Sequence, residues 1–346
     1  MGRDELTERE LRILEAVVQT YIETAEPAGS QRVARKFGLG VSPATIRSTM
    51  SELEERGYLF HPHTSAGRVP TDLGYRAFVD QLAPMPNVGY EERERLRQEL
   101  MTAAGDAIEG VLRRAAQALG VLTQELGVAA APVLDEVVLE RLEVVPVASD
   151  RLLLVFNLRS GVVRTIFVQV RGAMPPEALQ AVVQVLNERL GGLTLRQIRA
   201  SLRERLRDTG TPAAGQELLD IFVAQGDGLF DLQQDDRDAV LLGSARLLAD
   251  QPEFASNERM RDLLHLTEQR DLLREALERR RRQGLAVTIG VENDDPRLAG
   301  FTLVTASYRA GDLSGVIGVM GPTRMPYEKV IGLVLQTSRL VEGILQ

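Results

Sequence analysis

The spacing of apolar residues divides the chain into a helical front, a β-patterned middle, a second helical stretch and a β return closed by a helix. At the front, Leu11, Leu14, Val17, Val18, Tyr21 and Ile22 recur at helical spacing behind Thr7 and Glu10, which have the form of a capping box. Pro27 disfavours helix at the residue before it and ends that run. Gly29 and Ser30 start a short second helix, with Val33, Ala34 and Phe37 on its buried side and Gly38 and Gly40 at its end. A third helix follows from Ser42 to Gly57. Ser42 suits the N-cap, Pro43 sits where a missing N–H costs nothing, and Gly57 can take the left-handed stop conformation. Ile46, Met50 and Leu53 form its one apolar stripe. Helices in this order, the last two joined by a tight turn, predict a helix-turn-helix.

Tyr58, Leu59 and Phe60 then suit a short strand, His61 to Gly67 a polar turn, and Arg68, Val69 and Pro70 a return strand. A hairpin directly behind such a helix is a wing. Thr71 caps a further helix that packs Tyr75, Phe78, Val79 and Leu82, and Pro84 and Pro86 mark a stiff linker.

Over residues 90–127, Leu96, Leu100, Ile108, Val111, Leu112, Leu119, Leu122 and Leu126 keep a helical repeat, as one long helix or two shorter ones. This stretch is either a connector carrying dimer contacts or a core helix of a second domain. From Val137 the period changes, and 137–147, 151–158 and 162–170 predict three strands with short, hence antiparallel, connections. A helix runs from Pro175-Pro176 to Leu190. Strands return at 285–291, 301–308 and 313–320, and a helix from Pro326 to Leu345 closes the chain. Between the strand groups, 216–222, 236–248 and 258–282 read as helical. A block of that size inside one sheet domain reads as an insertion, and its apolar sides need a partner, most simply a second copy of the chain.

Composition narrows the chemistry. The chain has no cysteine and three histidines, which removes disulfides, thiolate metal sites and cysteine nucleophiles. Its net charge is −8, yet residues 28–70 carry a local excess of three positive charges. No signal-peptide core and no apolar run of about 18 residues appears, so a cytoplasmic location and no membrane are expected. Glu292-Asn-Asp-Asp295 lacks the spacing of a calcium loop. The glycine-rich Gly315–Gly321 lacks a dinucleotide or phosphate-loop signature. Arg279–Arg282 can be read as a nucleic-acid patch, but it sits at a helix C-terminus, where positive charge is favoured by the helix dipole, and the structural reading is preferred. No catalytic, cofactor-binding or metal-binding residue is assigned.

The candidate site is therefore a DNA-binding face. Arg47 is the expected base reader, because Arg can bond guanine at two atoms. Ser42, Thr45 and Ser48 are expected on phosphate or base edges, and Arg68 with His63, Thr64 and Ser65 is expected to hold the wing on the backbone. For His61 and His63, exposed loop histidines without a task are the competing account.

Leu6–Leu14, Glu26–Ser30, Ser42–Met50, Glu52–Leu59, Arg309–Tyr327 and above all His63-Thr-Ser-Ala-Gly-Arg-Val-Pro-Thr-Asp-Leu-Gly-Tyr-Arg76 resemble the bacterial heat-inducible transcription repressor HrcA family. The resemblance implies a negative regulator of chaperonin-class genes in the heat-shock response. It would bind double-stranded DNA at an inverted-repeat operator as a homodimer and be kept active by the GroEL chaperonin. It also implies a GAF-like sheet domain. The expected fold is multidomain α+β, with a winged helix-turn-helix at 1–83 and a linker at 84–89. A GAF-like antiparallel sheet domain occupies 90–192 and 259–346, and a mostly helical inserted dimerisation domain occupies 193–258. Two other functions compete: a metabolite-responsive regulator that uses the GAF-like domain as a ligand pocket, and an enzyme, for which no nucleophile–base pair or metal set is present.

Overall fold

The structure is a computed structural model. It describes residues 6–63, 67–82, 88–103, 108–132, 137–159, 163–172, 174–207, 213–230, 240–311 and 313–345. The chain forms two compact units, one of Met1–Ala130, Val240–Tyr308 and Val316–Ile344, the other of Ala131–Ala239, Arg309–Gly315 and the last two residues.

In the first unit, the capping box forms at the start of α1 (Glu8–Thr24): Thr7 N donates to Glu10 Oε2 at 2.7 Å, and Glu10 N donates to Thr7 Oγ1 at 3.3 Å. Next come α2 (Ser30–Phe37) and α3 (Pro43–Glu55), with Ser42 as the N-cap of α3 and Gly57 at φ +79° behind it. The hairpin strands β1 (Leu59–Phe60) and β2 (Val69–Pro70) pair antiparallel, Leu59 opposite Pro70 and Phe60 opposite Val69. Arg68 adds a bridge to Ala28, exchanging hydrogen bonds of 3.0 and 2.8 Å. Gly67 lies so close to that bridge that a Cβ there would stand 2.4 Å from the Ala28 carbonyl. The wing base is thereby stitched to the entry of α2. Helix α4 (Asp72–Val79), capped by Thr71, seals the module. Pro84 and Pro86 lie outside the described residues.

The same unit contains α5 (Tyr90–Met101), α6 (Ile108–Thr123) and the strands β3 (Leu126–Ala130), β7 (Val240–Leu242), β8 (Leu285–Ile289), β9 (Phe301–Ala310) and β10 (Leu313–Pro322). Their sheet order is β7-β3-β10-β9-β8. Helices α10 (Arg246–Ala249), α11 (Asn257–Glu268), α12 (Arg270–Glu278) and α13 (Tyr327–Leu345) complete the unit. Leu126, Val128, Leu303, Val316 and Met320 pack with Leu263, Leu272 and Leu277 in one core.

The helical repeat expected to run to residue 127 is corrected here. It breaks into α5 and α6, stops at Gln124 (φ +61°), and Leu126 begins the strand β3. All five residues of β3 are buried, and such a run has no period to separate strand from helix. The helix expected over 236–248 is likewise β7 and α10 where it is described. That expected over 258–282 is divided at Gln269 into α11 and α12.

The second unit holds β4 (Leu139–Ala148), β5 (Arg151–Leu158) and β6 (Val163–Gln169), an antiparallel meander in that order. It also holds α7 (Pro176–Leu190), α8 (Leu195–Arg205) and α9 (Ala213–Leu229). The expectation that these strands join those of 285–320 in one sheet is corrected: they form a sheet of their own. Its inner face buries Leu142, Leu152, Leu154, Phe156 and Val168. The Asn187 side chain of α7 is bonded to both the N–H and the carbonyl of Leu142, each at 2.8 Å. On the other face Val145, Val147, Val163 and Phe167 are exposed. The observed division of the chain falls near 131 and 239, not at the expected 193 and 258.

Candidate nucleic-acid interface

Helix α3 is held by its apolar stripe. Ile46, Met50 and Leu53 are buried, and so is Thr49. Ser42, Arg47 and Ser48 remain exposed and Thr45 is half-buried. Ser42 Oγ accepts from Thr45 N at 3.1 Å and lies 3.0 Å from Thr45 Oγ1. One of these two hydroxyl protons makes the mutual bond, and the other is left to donate to an incoming oxygen. The first turn of α3 carries no acidic residue, whereas that of α1 carries two. An uncompensated helix N-terminus with hydroxyls at its cap favours a phosphate or a base-edge acceptor. Arg47 is exposed, and among the described residues its guanidinium has no hydrogen-bond or ion-pair partner, so it is open to a ligand. Ser48 Oγ donates along its own helix to Glu52 Oε1 at 3.3 Å.

The hairpin is also attached to α3. Arg68 is turned back onto α3: its Nη2 stands 2.7 Å from Glu54 Oε2, and its side chain is 12% exposed. Glu54 also meets His61 Nδ1 at 2.9 Å. One carboxylate on α3 therefore holds both His61 and Arg68, one on each side of the hairpin turn. Glu54 was not singled out from the sequence, where it is one of three acids in Glu52–Glu55; only its place one helical turn beyond Ser51, facing the hairpin, distinguishes it. His63 is exposed at the wing, and Thr64 and Ser65 lie outside the described residues. Arg56, behind the helix, donates to Glu10 Oε1 at 2.7 Å. Hydrogen bonds from Thr7, and then Arg56, hold the Glu10 carboxyl below the usual carboxylate range.

Three of the four arginines that follow α12 are occupied within the fold. Buried Arg280 donates to Thr288 Oγ1 at 2.6 Å and to Asn293 Oδ1 at 3.1 Å, Arg279 pairs with Asp294 at 2.9 Å, and Arg281 pairs with Glu278. Among the described residues no cluster of His, Cys, Asp or Glu is suited to a metal ion, and no helix is long and apolar enough to cross a membrane.

Residues 109–331 match the family described as HrcA protein C terminal domain. The chain is 37% identical over 340 residues to the heat-inducible transcription repressor HrcA of Chlorobium phaeobacteroides (strain BS1), covering 95% of this chain and 96% of that protein. Against the protein of the same name from Acetivibrio thermocellus it is 37% identical over 333 residues, covering 95% and 93%. A crystal structure of a protein described as hypothetical shares the fold, with a TM-score of 0.62, 22% identity and 99% of both chains covered.

Proposed function

This chain belongs to the HrcA family of heat-inducible transcription repressors, and on that premise we propose that it silences chaperonin-class genes by binding an inverted-repeat operator as a homodimer. Its relatives are repressors of heat-shock transcription and not enzymes. The observation that carries the reading is the state of α3: its apolar stripe is wholly buried, while Ser42, Arg47 and Ser48 face outward beside an anchored wing. Arg47 reads a base edge. Ser42, Thr45 and Ser48 bond phosphate or base edges. His63, Thr64 and Ser65 lie along the backbone, on a wing that Arg68 holds in place from Glu54.

The exposed valines and Phe167 on the three-stranded sheet support a two-fold dimer, because a two-fold pair covers the same patch on both copies. The second unit, which contains most of the segment expected as an insertion, is the dimerisation domain in this reading. The GroEL chaperonin keeps the repressor active in the cytoplasm, and heat diverts it; the family likeness and the apolar sheet face support this. The test is enrichment of duplexes from a random-sequence pool by the full chain, with and without GroEL. The expected product is one inverted repeat, bound more fully when GroEL is present. Equal retention of palindromic and scrambled duplexes would overturn the proposal.

A further inference from the structure

The winged module is fastened to the five-stranded sheet by polar contacts far apart in sequence. On α4, Asp72 and Arg76 lie one turn apart and so on one face. Asp72 Oδ2 accepts from Val291 N at 2.9 Å. Arg76 Nε donates to Glu292 Oε1 at 2.8 Å, and Arg76 Nη2 donates to the Val287 carbonyl at 2.6 Å. Strand β8 is an edge strand, so Arg76 fills one of its open carbonyls. Gly290, at φ +54°, makes the approach possible: a Cβ there would stand 1.9 Å from Asp72 Oδ2.

A second fastening lies at α1. That helix ends without a basic residue in its last turn; the Ala25 N–H takes up the Tyr21 carbonyl, and the carbonyls after it lie beyond the helix's own hydrogen-bond ladder. Arg324, which follows β10, donates to the Ile22 carbonyl at 2.8 Å while Glu253 holds its other nitrogens. Between the two fastenings Tyr75 packs on Tyr327 with ring centroids 5.8 Å apart.

We infer that Asp72, Arg76, Glu292 and Arg324 are positioning residues that make the winged module a fixed arm of the sheet domain and thereby set which spacing between half-sites the repressor accepts. The contacts leave the outward residues of α3 exposed, so they orient the reading head without covering it. In a dimer with fixed arms, both half-sites are engaged only when they fall at one separation and one rotation about the duplex. Loose arms reach several spacings. The inference rests on the dimeric, operator-binding reading proposed above.

The test uses the full chain and the inverted repeat that it enriches from a random pool, together with the same repeat lengthened by about half a helical turn between half-sites. Wild type should lose about a hundredfold in affinity on the lengthened duplex, the scale of lost bivalency. R76A/R324M should lose far less on lengthening, with unchanged affinity for a duplex carrying a single half-site. Because the chain has no cysteine, spin labels at Glu55→Cys and Glu258→Cys report the arm directly. Their distance distribution should be a single narrow peak in wild type and broad in R76A/R324M. Spacing discrimination as sharp as wild type, tighter binding of the original repeat by the variant, or a distance peak that stays narrow would each overturn the inference. If wild type enriches no inverted repeat, the underlying reading falls; the spin-label distances still decide whether the arm is fixed.

Discussion

Arg68 Nη2 stands 2.7 Å from Glu54 Oε2, so the arginine at the base of the hairpin is held by α3. Its Nε is buried without a hydrogen-bond partner among the described residues, which leaves the Glu54 contact as its main compensation. The pair couples hairpin to helix, and with partly exposed members its worth is about 1 kcal/mol. A thermal double-mutant cycle with Glu54→Gln and Arg68→Met should return a coupling of that size. Additive effects would mean that the contact does not hold the wing.

Arg47 leads to a different expectation, because its guanidinium is exposed and has no hydrogen-bond or ion-pair partner among the described residues. Arg47→Ala should leave thermal stability within about 0.5 kcal/mol of wild type, as for surface positions without partners. On the enriched operator it should cost about 1–3 kcal/mol and relax preference at one base position in each half-site. Equal loss on operator and random duplex, measured by fluorescence anisotropy, would make Arg47 a phosphate contact instead.

Helix α3 was legible because both of its ends are marked by local chemistry: Ser42 and Pro43 at the start, Gly57 behind the end. The same holds for the Thr7–Glu10 box and for the meander, whose alternation is plain in Leu152, Leu154 and Phe156. Strand β3 was not legible, because five buried residues in a row carry no period. The separation into two sheets was hidden as well, since alternation says that a strand has two faces and not which strand lies beside it. The wing contact of Arg68 and the fastening of Arg76 to Glu292, 216 positions away, depend on tertiary placement that no local pattern encodes.

Glu125 makes stability depend on pH. It is 1% exposed, and burial raises its pKa from 4.5 to about 8, against smaller opposing effects from Gln251 and Arg324. The folded chain therefore keeps a proton that the unfolded chain releases above pH 4.5. Stability falls as pH rises between the two values, by at most about 1.4 kcal/mol per unit, and levels off above the folded one. Glu125→Gln keeps an acceptor for the Gln251 amide, 3.2 Å away, and removes the ionisation. Its melting temperature should match wild type near pH 5 and exceed it by several degrees near pH 8.5. Parallel melting curves across that range would remove Glu125 as the cause.

In the homodimer proposed above, the outer face of the β4–β5–β6 sheet is where the two copies meet. Val145 stands opposite Leu153, and Leu153 opposite Phe167, so the three form one row across the strands. Phe167 is 62% exposed and Val147, two residues along β4 from Val145, is 55% exposed. The opposite face already packs on helices, so these side chains contribute little to the fold of the unit itself. Burying them against a second copy removes apolar surface from water at about 25 cal/mol per Å². A carboxylate placed in the row would have to be desolvated and, by two-fold symmetry, would face its own copy. Phe167→Glu should therefore leave the far-ultraviolet circular dichroism unchanged while shifting the chain from dimer to monomer in sedimentation equilibrium. Operator affinity should drop with it by about a hundredfold, because two half-sites bound by one dimer gain from effective concentration and two monomers do not. A variant that remains dimeric at the wild-type dissociation constant would show that the copies meet elsewhere.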